Sequence, residues 1–300
     1  MPHFLTLADI PADRWPALFD RAAELKRNRL QHTLAGKSVA LVFEKASTRT
    51  RVSFEVGVFE LGGHAVVLTS QGSQLARGEP IEDTARVLSG YCQAIVLRTF
   101  GQDRVATLAK FASVPVINAL TDEHHPCQVA TDLFTVREKF GTLGVRYAWV
   151  GDANNMANSW IEAAALFGLD LVLACPQDHQ PDAMRIADAQ AKQRELGRGS
   201  VWVTDDPRIA VRNANVISTD VWASMGQEHE ADKRKDAFEG YCVDAALLEH
   251  AAPDAVVLHC LPAHRGEEIA ADVLDGPRSL AWVQAENRLH VGKAILEAVV

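Results

Sequence analysis

Residues 38–51 read SVALVFEKASTRTR, an apolar run that ends in a cluster of hydroxyl and guanidinium side chains. The run 38–43 does not alternate with polar residues, which is typical of a strand buried on both faces of a parallel sheet. Ser47 to Arg51 follow that strand, where its carboxyl end leads into a helix. Free backbone N–H groups and the helix dipole make such a place an anion site. A capped helix with Ser47 as its N-cap is an equally supported interpretation.

Similar apolar runs recur along the chain, and stretches long enough for helices separate most of them. They comprise residues 65–69, 94–99, 114–119, 146–151, 170–175, 200–205, 215–221 and 255–261. Buried strands that alternate with helices predict an α/β fold with parallel sheets. Residues 51–63 fit either a strand or a helix, and a helix is favoured because the next strand follows at once.

A chain of 300 residues exceeds what one hydrophobic core usually needs, so two domains are expected. The best boundary lies near 135–146, where a helix gives way to a second series of strands. We predict two doubly wound domains, residues 1–140 and 141–279. A C-terminal helix, residues 280–300, is expected to pack back on the first domain.

Composition limits the classes of partner. The formal net charge is −9, so the broad basic face of a nucleic-acid or membrane-surface binder is not expected. No secretory leader is visible at residues 1–15, and no apolar run approaches the roughly 18 residues of a membrane-spanning helix. The five cysteines are dispersed without a CxxC pair, which predicts reduced thiols in the cytoplasm. The mixed-sign charge run at 228–236 is expected on a solvated surface.

The motif HHPCQ, residues 124–128, also follows a predicted strand. Pro126 suits the first position of a helix, so His125 is expected at its N-terminus with Gln128 one turn along. A histidine at this place can donate a hydrogen bond to a carbonyl oxygen. The histidines and the cysteine are adjacent and lack the spacing of zinc ligands. A polar active-site edge is therefore favoured over a metal site or a purely structural cap.

Three more polar motifs follow strands of the second series, namely GDANNM at 151–156, DVWASMG at 220–226 and HCLPAHRG at 259–266. The first stands where a dinucleotide loop would, but it lacks GxGxxG, so NAD is not expected. Asp220 supplies a carboxylate that can hold an ammonium group. Cys260 has three open interpretations: a nucleophile, a zinc ligand or an inert buried thiol. Ligands of open α/β sheets bind at the carboxyl ends of strands, so the convergence of these motifs there indicates a binding site.

In this order, the segments FEKASTRTR, SQLARGEPIEDTARVLS, HHPCQ, GDANNMANS, DVWASMGQE and HCLPAHRGEE resemble the aspartate/ornithine carbamoyltransferase family over nearly the whole chain. STRTR and HPCQ are shared across the family, whereas SMG and HCLPAHR resemble its ornithine branch. The resemblance implies transfer of the carbamoyl group from carbamoyl phosphate to the side-chain amine of L-ornithine, which gives L-citrulline and phosphate. It also implies an active site in the crevice between the two domains.

The resemblance implies that most carbamoyl phosphate contacts come from the first domain. The implied binding residues are Ser47, Thr48, Arg49, Thr50, Gln74, Arg98, His125, Gln128, Leu261 and Arg288. Arg98 would bridge the phosphate and the carbonyl oxygen, and His125 would donate to the carbonyl oxygen. Gln74 would reach the phosphate site of a neighbouring subunit, which would make the active site intersubunit.

The resemblance assigns ornithine to the second domain. The implied ornithine-binding residues are Asn155, Asp220, Ser224, Met225 and Cys260, and the implied catalytic residues are Arg98, His125, Gln128, Asp220 and Cys260. The attacking amine must be neutral although its ordinary pKa is near that of lysine, about 10.4, so Asp220 with Cys260 would manage its proton. No covalent intermediate is required, so Cys260 is interpreted as a positioning and electrostatic residue.

Members of this family are trimers of two-domain subunits that need no metal and no organic cofactor. A homotrimer or a multiple of trimers is therefore expected in the cytoplasm, without a nucleic-acid or membrane partner. Two alternatives stay open: a carbamoyltransferase for a related amine, putrescine or an N-acylated ornithine, and a non-catalytic ligand-binding homologue. Ala153 and Gly292 depart from the residues usual in the family, Gly and Gln, but touch no implied ligand directly.

Overall fold

The computed structural model describes residues 3–69, 78–223 and 231–300, with the backbone alone for 231–233. The chain forms two compact units, one made of Met1–Phe134 with Glu286–Val300 and one made of Thr135–Ala285. Across the described ranges, no helix is long and apolar enough to cross a membrane.

The first unit is built on a parallel four-stranded sheet. Its strands are β1 (Ser38–Phe43), β2 (His64–Thr69), β3 (Ala94–Arg98) and β4 (Val116–Leu120). They pair in the order β2-β1-β3-β4, and the register places Phe43 beside both Thr69 and Arg98. Every residue of β1 after Ser38 is buried, which explains why the run 38–43 shows no polar alternation.

Helices flank these strands in the sequence. They are α1 (Trp15–Arg27), α2 (Arg49–Glu60), α3 (Ile81–Tyr91), α4 (Gln102–Phe111) and α5 (Pro126–Phe140), and 3-10 turns at Leu7–Asp9 and Ala12–Arg14 precede α1. The helix favoured for 51–63 is confirmed by α2. The expectation that Ser47 caps this helix is wrong, because α2 begins at Arg49 and its N-cap is Thr48. The expected start of a helix at Pro126 is confirmed by α5.

The second unit carries a parallel five-stranded sheet, paired in the order β7-β6-β5-β8-β9. Its strands are β5 (Arg146–Val150), β6 (Asp170–Ala174), β7 (Ser200–Thr204), β8 (Val216–Thr219) and β9 (Val256–His259). The helices are α6 (Asn155–Phe167), α7 (Ala183–Leu196), α8 (Pro207–Val211), α9 (Ala231–Ala237), α10 (Ala245–Leu248) and α11 (Ala271–Leu274), with a 3-10 turn at Gln177–His179. The last helix, α12 (Ala281–Val299), begins in this unit and belongs to the first unit from Glu286 onward. Each apolar run of the sequence forms a strand, which confirms the predicted α/β fold with parallel sheets.

The strand order of each sheet reverses beside the first strand of its unit. The reversal lies between β1 and β3 in the first sheet and between β5 and β8 in the second. Connections leave these neighbouring strands in opposite directions, and ligands of doubly wound sheets bind outside the carboxyl ends at such a switch point. The segments that begin at Glu44, Thr99, Gly151 and Asp220 follow these four strands.

Each unit has its own aromatic packing. In the first unit, Trp15 packs against Phe4 and Phe19 at centroid distances of 6.2 and 5.5 Å. In the second, Phe238 stacks on Trp222 at 5.5 Å. Burial of one large apolar side chain contributes about 1.5–3 kcal/mol, so these contacts fix the elements from which the polar loops emerge.

Candidate active site

Three polar segments of the first unit meet at one edge of its sheet. β1 leads into Ser47 and Thr48, β3 ends with Arg98, and the loop after β4 ends with His125 directly before α5. β1, β3 and β4 are parallel neighbours, so their carboxyl ends lie side by side. The strand-end positions predicted from the sequence are therefore brought together.

The amino terminus of α2 has the features of an anion site. Its N-cap, Thr48, makes no side-chain capping hydrogen bond, and the N–H groups of a first helical turn have no intrahelical acceptor. The guanidinium of the half-buried Arg49 makes no hydrogen bond or ion pair with any residue in the described parts of the chain. Arg51 is exposed and pairs with Glu55 at 3.5 Å. Arg49, rather than Arg51, is thus the guanidinium available to a ligand.

Thr50 holds two buried arginines. Its hydroxyl oxygen accepts hydrogen bonds from Nη2 of Arg288 at 2.5 Å and from Nη1 of Arg98 at 3.4 Å. Arg98 is only 7% exposed and Arg288 only 8%. Two like charges that share one acceptor in a buried place repel each other, and an anion beside them would offset that repulsion. The pair therefore indicates a ligand with at least one negative charge.

Gln128 joins this cluster from the first turns of α5. Its carboxamide oxygen accepts a hydrogen bond from Nη1 of Arg288, and its Nε2 donates to Oδ1 of Asp132 at 2.8 Å. Asp132 is fully buried one turn further along the helix. It fixes the orientation of the Gln128 amide. In the sequence, only the i,i+4 spacing of the two residues indicated this contact.

His125 is buried beside the two arginines. Burial lowers its pKa well below the ordinary value, and the charges of Arg288 and Arg98 lower it further. The imidazole is therefore neutral near pH 7. A neutral imidazole has one N–H, which can donate to an uncharged carbonyl oxygen.

Two charged residues that the sequence prediction passed over hold the strand-end loops together. The Glu44 carboxylate accepts hydrogen bonds from Nε and Nη2 of Arg104 at 2.8 and 2.6 Å. The Lys45 ammonium bonds to the Asp122 carboxylate and lies 4.5 Å from the centre of the Phe100 ring. In the sequence, only the position of both residues directly after β1 indicated that they lie near the site. They link the loop after β1 to the segments after β3 and β4.

The polar residues of the second unit gather around Asp220, which follows β8. Its Oδ1 accepts hydrogen bonds from the Cys260 thiol at 2.9 Å and from the Val221 N–H at 2.8 Å. Its Oδ2 accepts from Nδ2 of Asn154 at 2.9 Å. Asp220 is only 8% exposed, so this carboxylate is buried and hydrogen-bonded on both oxygens.

Asn154 makes the contact with Asp220, although the sequence prediction selected its neighbour Asn155. Oδ1 of Asn154 also accepts the N–H groups of Met156 and Ala157 at 2.9 and 3.3 Å and so caps α6. Asn155 is the first residue of that helix. An asparagine directly before a helix is a capping signal, which would have identified Asn154.

Burial raises the pKa of Asp220, while His259, the Cys260 thiol, the Val221 N–H and Asn154 all act to lower it. Burial outweighs these contacts, so the pKa lies above the ordinary value for aspartate. An aspartate of raised pKa accepts a proton more readily than an exposed one. It can therefore take part in removing a proton from an ammonium group.

Leu261 is held in an unusual backbone conformation. Its φ is 58°, in the left-handed region that costs a residue with a Cβ about 1–2 kcal/mol. Its N–H donates to Nδ1 of His259 at 2.9 Å, and Nε2 of His259 lies 3.0 Å from Oε1 of Glu268. His259 and Glu268 are both buried. Since Nδ1 is an acceptor, Nε2 carries the proton and donates to the carboxylate, and the pair fixes the backbone next to Cys260.

Two groups in the described ranges bring possible metal ligands within 4.8 Å of one another. They are Asp220 with His259 and Cys260, and His264 with Glu267 and Glu268. Both ring nitrogens of His259 already make hydrogen bonds, so a cation bound there would have to break one of them. In the second group, Glu267 forms an ion pair with Lys235 at 2.9 Å. The internal hydrogen bonds and ion pair thus compete with metal binding in both groups.

Three predicted site residues lie outside the described residues: Gln74, Ser224 and Met225. The remaining ones fall into two chemically distinct sets. The first unit gathers guanidinium, hydroxyl and amide donors around Thr50. The second gathers a carboxylate, a thiol and an amide around Asp220. The first set suits an anion with a carbonyl group, and the second suits an amine.

Comparison with known proteins gives a family match over almost the entire chain. Residues 2–138 match "Aspartate/ornithine carbamoyltransferase, carbamoyl-P binding domain", and residues 143–299 match "Aspartate/ornithine carbamoyltransferase, Asp/Orn binding domain".

Individual relatives are similar over their full lengths. The ornithine carbamoyltransferase of Acidothermus cellulolyticus is 58% identical, with 98% of this chain and 95% of the relative covered. That of Geobacter sulfurreducens is 55% identical, with 99% and 98% covered. The solved structure of ornithine carbamoyltransferase from Pyrococcus furiosus superposes with a TM-score of 0.94 at 48% identity, with 99% of this chain and 96% of that chain covered.

Proposed function

The chain belongs to the aspartate/ornithine carbamoyltransferase family, and from this we propose that it transfers the carbamoyl group of carbamoyl phosphate to the side-chain amine of L-ornithine. The products are L-citrulline and inorganic phosphate. The observation that carries the proposal is the pair of buried arginines, Arg98 and Arg288, on Thr50 beside a neutral His125. This combination suits a phosphate joined to an uncharged carbonyl group.

Carbamoyl phosphate is held by the first unit. The N–H groups at the start of α2, the hydroxyls of Ser47, Thr48 and Thr50, and the guanidinium of Arg49 bind the phosphate. Arg98 bridges the phosphate and the carbonyl oxygen, and Arg288 adds charge from α12. His125 donates its N–H to the carbonyl oxygen, where negative charge develops during attack. Removal of one such donor typically costs about 3–4 kcal/mol of transition-state stabilisation.

The carbamoyl nitrogen needs acceptors, because it carries two N–H groups. The carbonyl oxygens of Gln128 and of Leu261 supply them in this proposal. The left-handed conformation of Leu261 and its hydrogen bond to His259 set the direction of that carbonyl.

Ornithine is held by Asn155, Asp220 and Cys260, together with Ser224 and Met225. The neutral side-chain amine attacks the carbamoyl carbon, a C–N bond forms, and the C–O bond to phosphate breaks with its electron pair leaving on the phosphate oxygen. The amine loses one proton, and Asp220, whose pKa is raised by burial, accepts it with Cys260 alongside. The Cys260 thiol donates to Asp220 and therefore carries its proton, which supports a positioning role over a nucleophilic one.

We also propose a homotrimer, or a multiple of trimers, in the cytoplasm, with Gln74 reaching the phosphate site of a neighbouring subunit. Val52 and Phe59 on α2 are 52% and 71% exposed, and their spacing of seven residues places them on the same face of the helix. Exposed apolar residues on one helix favour contact with another protein surface. Neither a nucleic-acid nor a membrane partner is part of the proposal.

A comparison of amines tests the choice of acceptor. The protein is assayed with carbamoyl phosphate and, separately, L-ornithine, putrescine and N-acetyl-L-ornithine. We expect kcat/KM for L-ornithine to exceed the others by about 100-fold or more, because putrescine lacks the α-carboxylate of ornithine and N-acetyl-L-ornithine lacks the charge of its α-amino group. A higher kcat/KM for putrescine or for the acylated amine would overturn the assignment of ornithine. Binding of carbamoyl phosphate without turnover of any amine would identify a non-catalytic homologue.

A further inference from the structure

We propose that Lys293 is a positioning residue for Arg288, and that it holds α12 on α2 so that the Arg288 guanidinium reaches Thr50 and Gln128. This inference rests on the proposed function, because it concerns how Arg288 comes to bind carbamoyl phosphate. All the contacts that carry it lie within the first unit.

Lys293 is completely buried and its ammonium group is fully hydrogen-bonded. Nζ donates to the carbonyl oxygens of Leu25 at 3.3 Å and Arg29 at 2.9 Å, and to Oε2 of Glu60 at 2.7 Å. Leu25 belongs to the last turn of α1, whose carbonyls lack intrahelical partners and carry partial negative charge. A lysine rarely lies in a core without such a set of acceptors. Its three contacts therefore fix its place closely.

Glu60 is the last residue of α2, the helix whose first turn carries Arg49 and Thr50. Its other oxygen, Oε1, accepts from Nε of Arg29 at 2.8 Å. Burial acts to raise the pKa of Glu60, but the hydrogen bonds from Arg29 and Lys293 outweigh it and lower the pKa. The carboxylate is thus ionised, and Lys293 and Glu60 form a buried charged link between α12 and α2.

Arg288 and Lys293 are five residues apart on α12, about 7.5 Å along its axis. Arg288 bonds to Thr50 at one end of α2 and Lys293 bonds to Glu60 at the other. The stem of Lys293 crosses α2 at Gly57, where a Cβ would lie only 3.2 Å from its Cγ. A shift of α12 along α2 would therefore break the Glu60 link and move Arg288 off Thr50 together.

Other side chains of α12 bond elsewhere. Glu297 accepts from Nε of Arg21 on α1 at 2.6 Å and from the hydroxyl of Thr33 at 2.8 Å. The Glu297→Gln variant weakens an ion pair of α12 without touching α2. It is a matched control for a loss of stability alone.

A double-mutant cycle tests the inference. Carbamoyl phosphate is titrated calorimetrically into the full chain and its Lys293→Met, Arg288→Met, double and Glu297→Gln variants, and thermal unfolding is recorded for each. We expect Lys293→Met to weaken binding about tenfold in the unaltered chain but less than about twofold when Arg288 is already Met. Glu297→Gln is expected to lower the melting temperature and leave the affinity within about twofold.

The inference would be overturned if Lys293→Met lowered the affinity for carbamoyl phosphate equally in the unaltered chain and in the Arg288→Met variant. It would also be overturned if Lys293→Met left that affinity unchanged. If Lys293→Met does not fold, the milder variant Glu60→Gln is used in its place. The amide oxygen of that glutamine still accepts a hydrogen bond from Lys293, while the negative charge is lost. Failure of both to fold would assign the pair a structural role and also overturn the inference. Absence of carbamoyl phosphate binding by the unaltered chain would instead contradict the proposed function, and this inference with it.

Discussion

The Cys260 thiol donates a hydrogen bond to Oδ1 of Asp220 over 2.9 Å. The donor lies at the end of β9 and the acceptor at the end of β8, two parallel neighbours. The contact makes the thiol the partner of a buried carboxylate rather than a free nucleophile. It also lowers the pKa of Asp220, against the larger effect of burial.

Replacement of Cys260 is expected to weaken the binding of ornithine and to change the pH dependence of kcat/KM. Loss of a hydrogen bond to a charged group costs about 1.5–3 kcal/mol, so Cys260→Ala should raise KM for ornithine about 10- to 100-fold. The pKa of Asp220 should rise further, because a donor to its ionised form is lost, and the acid limb of kcat/KM should move to higher pH. Steady-state kinetics across pH measure both effects.

The matched variant is Cys260→Ser, which retains a donor and should recover much of the ornithine affinity. Mass spectrometry of the enzyme mixed with carbamoyl phosphate should find no carbamoyl adduct on Cys260. A thiocarbamate that forms and disappears at the rate of turnover would contradict the positioning role.

Arg49 and Arg51 offer a paired test of the anion site. Arg49→Ala should weaken carbamoyl phosphate binding about 10- to 100-fold, because one charge-assisted contact is lost. Arg51→Ala removes an exposed pair with Glu55 and should change the affinity by less than about twofold. Calorimetric titration measures both, and unchanged binding in Arg49→Ala would refute the phosphate assignment.

His125 is expected to act on the transition state more than on binding. A phenylalanine at this position fills similar space but has no N–H, so His125→Phe should lower kcat about 10²- to 10³-fold. The affinity for carbamoyl phosphate should change much less, since the arginines bind the phosphate. Pre-steady-state kinetics separate the two steps, and an unchanged kcat would show that His125 does not contact the carbonyl oxygen.

His290 on α12 makes folding sensitive to acid. Its ring is buried, neither nitrogen makes a hydrogen bond within the described ranges of the chain, and Oε1 of Glu286 lies 3.8 Å from Nε2. Burial lowers its pKa to about 4; the charges of Lys293, Arg29 and Lys26 add to this effect, and Glu286 opposes it. The unfolded chain therefore binds the proton more tightly than the folded chain does. The contribution of His290 to stability is fully present only above its pKa in the unfolded chain, about 6.5.

That contribution should decrease as the pH falls from about 6.5 towards 4. The free energy of unfolding should drop by about 2 kcal/mol between pH 7.5 and pH 5 on account of His290. The variant His290→Leu should lose this dependence, whereas His250→Gln, at an exposed position, should keep it. Urea unfolding at fixed protein concentration measures the effect. An equal pH dependence in His290→Leu would refute the account.

The fold was predictable because a strand that is buried on both faces appears in the sequence as a run of apolar residues. The runs that became β1 to β9 contain few polar residues, and turn and helix signals separate them. The segment 51–63 could be assigned to a helix only from its neighbour, since its apolar spacing fits both structures. The N-cap of α2 was missed because Ser47 and Thr48 are both residues that favour the N-cap position, and the backbone geometry chooses between them.

Partners that are distant in the sequence could not be predicted from it. Arg234 lies in the charge run expected on a solvated surface, but it is buried and donates to Oδ2 of Asp152 at 2.8 Å and to the Trp222 carbonyl at 2.7 Å. The mixed-sign run shows only which charges are neighbours in the sequence. It could not predict the ion pair with Asp152, which is 82 residues away. Asp132 was missed for a related reason, because an aspartate inside a helix is usually a solvated residue.

Formation of citrulline tests the central claim most directly. Carbamoyl phosphate labelled with ¹³C in the carbamoyl group is mixed with L-ornithine and catalytic amounts of the protein, and carbon and phosphorus NMR follow the products. We predict that labelled L-citrulline and inorganic phosphate appear in equal amounts, at a rate proportional to enzyme concentration. Release of phosphate at the uncatalysed rate, with no label transferred to ornithine, would contradict the assignment.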